Sequence, residues 1–278
     1  MRGLDSTIRR WAGVAAVAVT TTAVGACAIS TQQELALGEQ YAIEINQQLP
    51  IIDDGEIHRY VNLLGDQIAQ QGGRQLDYTF FIVNTDVINA FAVPGGYVYL
   101  NRGLIDRTDN LSEFAGVVGH EIAHVELRHG VEQMEKMQRA QLGVALGSIL
   151  LGPPEGAAAA AVNVGAGLYF ASNSREAENE ADALAVPLLV NAGIHPRGLA
   201  TFFDELIAER ERSPSALEQW FSTHPLTEDR IAAVEARIAA LPATSLDGLI
   251  MNSNNFTRMQ QRLRALPPPP PEFRSENQ

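Results

Sequence analysis

The stretch Leu111–Gly130, LSEFAGVVGHEIAHVELRHG, constrains this chain more than any other. Phe114, Val117, Val118, Ile122 and Val125 recur in it at helical spacing, so it reads as one buried helix. At its centre stand His120, Glu121, Ile122, Ala123 and His124. Residues four apart share a helix face, and two neutral imidazoles at that spacing can bind one metal at about 2.0–2.1 Å. Glu121 sits one residue round, where its carboxylate can reach a water activated by the metal without binding the metal, the position of a general base. This H-E-x-x-H spacing is the one zinc-dependent peptide hydrolysis uses. The plainer alternative is a helix with two incidental histidines and a surface glutamate. A third ligand must decide between them.

Composition narrows the setting. With 46% apolar residues the chain is globular, and a net charge of −13 excludes non-specific nucleic-acid binding, which needs a basic footprint. Arg2, Arg9 and Arg10 precede the apolar, uncharged stretch Trp11–Ala26, the pattern of a secretory signal rather than a fold element. The only cysteine, Cys27, follows directly in Val24-Gly25-Ala26-Cys27. That sequence resembles the lipobox of bacterial lipoproteins, which implies a lipidated Cys27 as new N-terminus and a membrane anchor. Ala28 follows it, with no aspartate to signal inner-membrane retention, so the outer membrane is expected. An ordinary signal peptide with an incidental cysteine is the alternative. A lone cysteine makes no internal disulfide. The expected organisation is a leader over 1–26, one domain over 27–245 and a Pro-rich, disordered tail over 246–278.

Along the chain, Ser30 and Thr31 are cap candidates for a helix to about Leu49, ended by Pro50, and a second helix spans about Asp54–Gln70. Three short strands follow, around Tyr78–Val83, Ile88–Val93 and Tyr97–Leu100, the last two joined by Pro94-Gly95-Gly96. The segment Asn89–Val93 is either a plain hairpin strand or an edge that holds an extended substrate through Asn89, Ala90, Phe91 and Ala92. Residues 142–168 are rich in Ala and Gly and broken by Pro153-Pro154. Neither half reaches the roughly 20 residues that cross a bilayer, leaving a helical pair, a lid or a membrane-touching loop. A helix from Asn173 to about Asn191, one opened by Pro196 and one over about Thr227–Leu241 complete the domain. The fold class is α+β, mainly α, with a small sheet.

Of the other histidines, His129 lies nine residues past His120, about 180° round an ideal helix, and is expected to face away. His58 and His195 read as structural. The third ligand should therefore be a downstream carboxylate, and Glu178 and Asp182, four apart beside Ala181 and Ala185, supply candidates. Burying that pair without a cation would be costly, although a solvated acidic turn is the alternative.

Taken together, His120-Glu121-x-x-His124, Glu178-x-x-x-Asp182, Ile88-Asn89-Ala90-Phe91-Ala92 with Gly95-Gly96, and His224-Pro225 with Arg230 resemble one family along most of residues 31–240. It is the gluzincin peptidase family that includes the integral-membrane CAAX prenyl proteases and HtpX, in its soluble periplasmic lipoprotein branch. The resemblance implies a zincin-like domain with one zinc, Glu178 as third ligand and Asp182 orienting a ligand histidine. It also implies that His224 or Arg230 lies near the cleft, polarising the substrate carbonyl or filling the fourth metal position. The multi-helix membrane spans of other branches are absent, so prenyl-protein substrates do not carry over.

The expected activity is endopeptidase cleavage of misfolded or unassembled envelope proteins, with outer-membrane assembly machinery as a possible partner. The rivals are a chaperone or assembly factor with little peptidase activity, and a metal-dependent aminopeptidase. For His224, gating, oxyanion stabilisation and simple helix capping remain open.

Overall fold

The computed structural model describes residues 28–139, 173–212 and 217–274. The leader with Cys27 and the segment 142–168 lie outside the described residues. Helix α1 (Thr31–Gln48) begins at Ser30, whose hydroxyl accepts from Gln33 N while the Gln33 side chain accepts the Ser30 N–H at 2.9 Å. That reciprocal cap satisfies two otherwise orphaned donors. Asp54 caps α2 (Gly55–Ala69) by accepting from Glu56 N and Ile57 N, and Ile57, Val61, Leu64 and Ile68 turn into the core.

The chain then builds a three-stranded sheet of β1 (Thr79–Val83), β2 (Ala90–Val93) and β3 (Tyr97–Asn101). β2 and β3 form an antiparallel hairpin, Ala90 opposite Leu100 and Val93 opposite Tyr97, while β1 runs parallel to β3. Its tight turn is closed by Gly95 and Gly96 at φ 87° and 97°, a region glycine adopts without steric cost. The order β1-β3-β2 leaves β2 on an edge.

After α3 (Arg102–Arg107) comes α4 (Leu111–Glu126), opened by Asn110, whose side chain accepts from Glu113 N. Every residue from Leu111 to Val125 is buried. A helix enclosed all round is the axis of a core, and α4 packs against α2, β2, α6 (Arg175–Asn191) and α7 (Arg197–Arg212). Gly116 permits the last contact, since a Cβ there would lie 2.8 Å from Leu199 N. Between α4 and α6, α5 is described over residues 129–139. Helix α6 is capped by Ser174 and so starts two residues past the expected Asn173. Helices α8 (Glu218–Thr223) and α9 (Glu228–Ala239) follow. The whole is mainly helical with one small mixed sheet, as expected. Among the described residues no helix is long and apolar enough to cross a membrane.

The expectation of a disordered tail from residue 246 is corrected. Helix α10 (Asn254–Ala265) inserts Phe256, Met259 and Leu263 into the main core. The Phe256 ring stacks on Phe114 of α4 at 5.6 Å, and Gln260 Nε2 donates to the carbonyls of Ile105 and Thr108 at 3.1 and 2.7 Å. The three apolar residues stand at helical spacing between polar neighbours, a stripe the adjacent proline run obscured. That run is itself fastened: Arg102 donates to Pro267 O at 2.6 Å, and Thr85 donates to Phe273 O at 2.7 Å. Packing therefore continues well past the boundary expected at 245.

Candidate metal centre

Helix α4 aims His120 and His124 to one side, with their Nε2 atoms 3.0 Å apart. Helix α6 brings Glu178 opposite, Oε2 lying 3.3 Å from His120 Nε2 and Oε1 3.2 Å from His124 Nε2. Ala181 and Ala185, both fully buried, are small enough for α6 to approach α4 closely. A tetrahedral site with bonds of about 2.0–2.1 Å has ligand atoms about 3.3 Å apart. The two imidazole nitrogens and the Glu178 carboxylate stand close to that spacing, so the three side chains fit one metal ion.

Two further observations support that fit. Glu121 is buried and its Oε1 has no hydrogen-bond partner, an expensive arrangement for a carboxylate unless a cation or its water faces it. Glu121, Glu178 and Asp182 are all buried, and the buried guanidinium of Arg230 pairs with the last two. Two formal negative charges remain, the charge a divalent cation offsets. In the metal-free site the imidazoles answer that excess: burial opposes charge on His224, yet Glu178 and Glu121 raise it. Burial opposes charge on His120, yet hydrogen bonds with Asp182 and Glu178 push it up to about 10. Burial, reinforced by the positive neighbours His120 and His224, pulls His124 down to about 3. Burial also raises Glu121, which makes it a better proton acceptor.

Behind the ligands, His120 Nδ1 lies 2.9 Å from Asp182 Oδ1, which fixes that ring. Arg230 Nε and Nη2 donate to Asp182 at 2.8 and 2.9 Å, and Nη1 lies 2.8 Å from Glu178 Oε2. The expectation that Arg230 polarises a substrate carbonyl is thereby corrected. Its guanidinium is buried over the Phe203 ring and committed to the two carboxylates.

His224 stands at the C-terminal end of α8. Its backbone N–H caps α8 by donating to Trp220 O at 2.7 Å. Its side chain enters the site, Nδ1 3.3 Å from Glu178 Oε1 and Nε2 3.5 Å from Glu121 Oε1, so it joins His120, His124 and Glu178 as a fourth possible ligand.

The cleft beside the centre is lined by Phe91, Ala92 and Val93 of β2 together with Glu121, His124 and His224. The proposed substrate edge divides there. Phe91 and Ala92 line the cleft, whereas Asn89 and Ala90 are fully buried. Asn89 accepts from Thr223 Oγ1 at 3.4 Å, and Ala90 offers its carbonyl to His224 Nε2 at 3.3 Å. They support the loop that carries His224.

The sequence reading misplaced His129. Helix α4 stops at Glu126, Leu127 caps it, and Arg128 turns the chain at φ 61° before α5 starts. His129 therefore points back, its Nδ1 2.8 Å from His124 Nδ1. An ideal helical wheel fails wherever the helix ends, and the left-handed residue is an arginine, a type that gives no such signal. Gly130 was the available hint of a break.

A buried His-His-Glu set from two helices, with a glutamate base beside an edge strand, defines a metallopeptidase of the gluzincin kind. The chain belongs to peptidase family M48, whose sequence profile matches residues 52–238. Membership implies a divalent metal. The chain is 36% identical over 225 residues to the beta-barrel assembly-enhancing protease of Yersinia pestis, covering 78% of this chain and 46% of that protein. Against the protein of the same name in Escherichia coli K12 it is 35% identical over 218 residues, covering 75% and 44%. Metalloprotease LoiP of Escherichia coli K12 is 31% identical over 188 residues, covering 64% and 68%. The chain thus spans less than half the length of the two assembly-enhancing proteases.

Proposed function

We propose that the metal is zinc, held by His120, His124 and Glu178, and that the chain is an endopeptidase of the bacterial cell envelope acting on misfolded or unassembled envelope proteins. The observation that carries this reading is the convergence of those three ligands beside the unpartnered Glu121 oxygen, next to an edge strand. Zinc bound there would polarise the scissile carbonyl and acidify water. Glu121 accepts the proton of the attacking water and passes it to the leaving amine. Phe91 and Ala92 hold the peptide extended along β2, while Asp182 and Arg230 keep His120 and Glu178 in place. The names of the relatives support a link to outer-membrane assembly, and Val24-Gly25-Ala26-Cys27 supports a lipid anchor on Cys27. The test is zinc content with casein digestion. Wild type should hold about one zinc per chain, and Glu121→Gln should keep it while losing about 10²–10⁴ of the rate. Full activity in Glu121→Gln would sink the assignment.

The position of His224 favours a second reading, an assembly factor whose peptidase is latent. Its imidazole stands within the ligand cluster, where it can take the fourth metal position and exclude water. His224→Ala should then raise casein cleavage. A loss of roughly 10²–10³ would instead assign it to oxyanion stabilisation.

A further inference from the structure

The outer nitrogens of the two ligand histidines meet different partners. His120 Nδ1 faces the buried carboxylate of Asp182. His124 Nδ1 faces another imidazole, His129 Nδ1, at 2.8 Å, with the ring centroids 5.0 Å apart and inclined at 71°. His129 is buried, and its other nitrogen, Nε2, lies 3.2 Å from Glu180 Oε2 on the surface of α6. The row Glu180–His129–His124 therefore runs from solvent to the metal centre.

The turn that delivers His129 is itself anchored. Arg128 occupies the left-handed region, disfavoured for a residue with a Cβ. Its Nε donates to Glu34 Oε2 at 2.9 Å and its Nη2 to Ile29 O at 2.5 Å. Glu34, buried on α1, is also gripped by Arg74 through Nη1 and Nη2 at 2.9 and 2.8 Å. A strained turn held by a buried carboxylate, presenting one ring to a ligand, is a built arrangement.

We propose that His129 is a positioning residue of the metal centre, acting through His124. Its Nδ1 accepts the Nδ1–H of His124, and its Nε2–H is donated to Glu180. With the proton of His124 held on Nδ1, its Nε2 lone pair is free toward His120 and Glu178. The opposite assignment would place a proton on His124 Nε2, in the middle of the ligand set. The inference rests on the metallopeptidase reading above.

Zinc affinity, measured with Zn²⁺ against a competing chelator, and the absorption spectrum of the Co²⁺-loaded protein test it. His129→Leu keeps bulk but removes the acceptor, while His129→Asn places an oxygen near the lost Nδ1. His129→Leu should bind zinc about 10–100-fold more weakly with an altered cobalt spectrum, and His129→Asn should recover most of both. Should the leucine variant not fold, His129→Ala takes its place in the comparison. Wild-type affinity in the acceptor-less variant would overturn the proposal, and so would equal losses in both variants, which would mean simple packing. A wild-type protein that binds no zinc would instead refute the metal reading itself.

Discussion

The two ends of α4 both gather carboxylates, and they do so to opposite effect. At its start, Glu113 accepts from Asp109 N at 2.6 Å, Asn110 Nδ2 at 2.7 Å and Thr201 Oγ1 at 3.2 Å, with Glu205 of α7 nearby. Protein donors fill those oxygens, and a helix N-terminus favours negative charge in any case. Toward its other end, Glu121, Glu178 and Asp182 stand among imidazoles and the Arg230 guanidinium, and Glu121 Oε1 and Glu178 Oε2 have no hydrogen-bond partner. Acidic residues close together do not make a cation site. Burial, converging imidazoles and a shortage of donors do.

That contrast can be broken at either end. The largest stability effect is expected at the metal end, from Arg230→Met. It leaves Asp182 buried against His120 alone, which should cost the metal-free protein about 3–5 kcal/mol in denaturant unfolding. A loss under about 1 kcal/mol would mean the carboxylates are not held by Arg230. At the opposite end, Phe256→Ala removes the ring stacked on Phe114 and should cost about 3 kcal/mol, with faster proteolysis after residue 246. An unchanged protease pattern would show that α10 does not depend on that contact.

The smallest effect should come from Glu205→Gln. Burial, then Glu113 and Asp109, push the Glu205 carboxyl up to about 7 from an ordinary value of 4.5. A native pKa above the unfolded one means the native state binds the proton more tightly, so stability falls as pH rises from about 4.5 to 7. Glu205→Gln should therefore raise the melting temperature at pH 8 and leave it nearly unchanged at pH 4.5. The group is half-exposed, so solvent screening keeps the gain small. An equal gain at both pH values would assign it to something other than charge.

How far the sequence could be read followed the range of the interactions. The helix cap at Ser30, the Pro94-Gly95-Gly96 turn and the alignment of His120 with His124 are local, and each is found where the pattern placed it, within a residue or two. The tail was misread because the apolar stripe of α10 is only three residues, and its partner Phe114 stands far away in the chain. Arg230 was offered beside His224 for the cleft because motif order says nothing of which neighbours bury a side chain.

By itself, then, the sequence determined the ligand pair on α4, the acidic helix that faces it and the hairpin beside it, because helical and strand periods act over a few residues. Only the tertiary structure decided that His129 turns back on His124, that Arg230 clamps Glu178 and Asp182, and that His224 enters the cluster. Those three placements depend on where helices end and which surfaces exclude water. Neither is a property of any short window of residues.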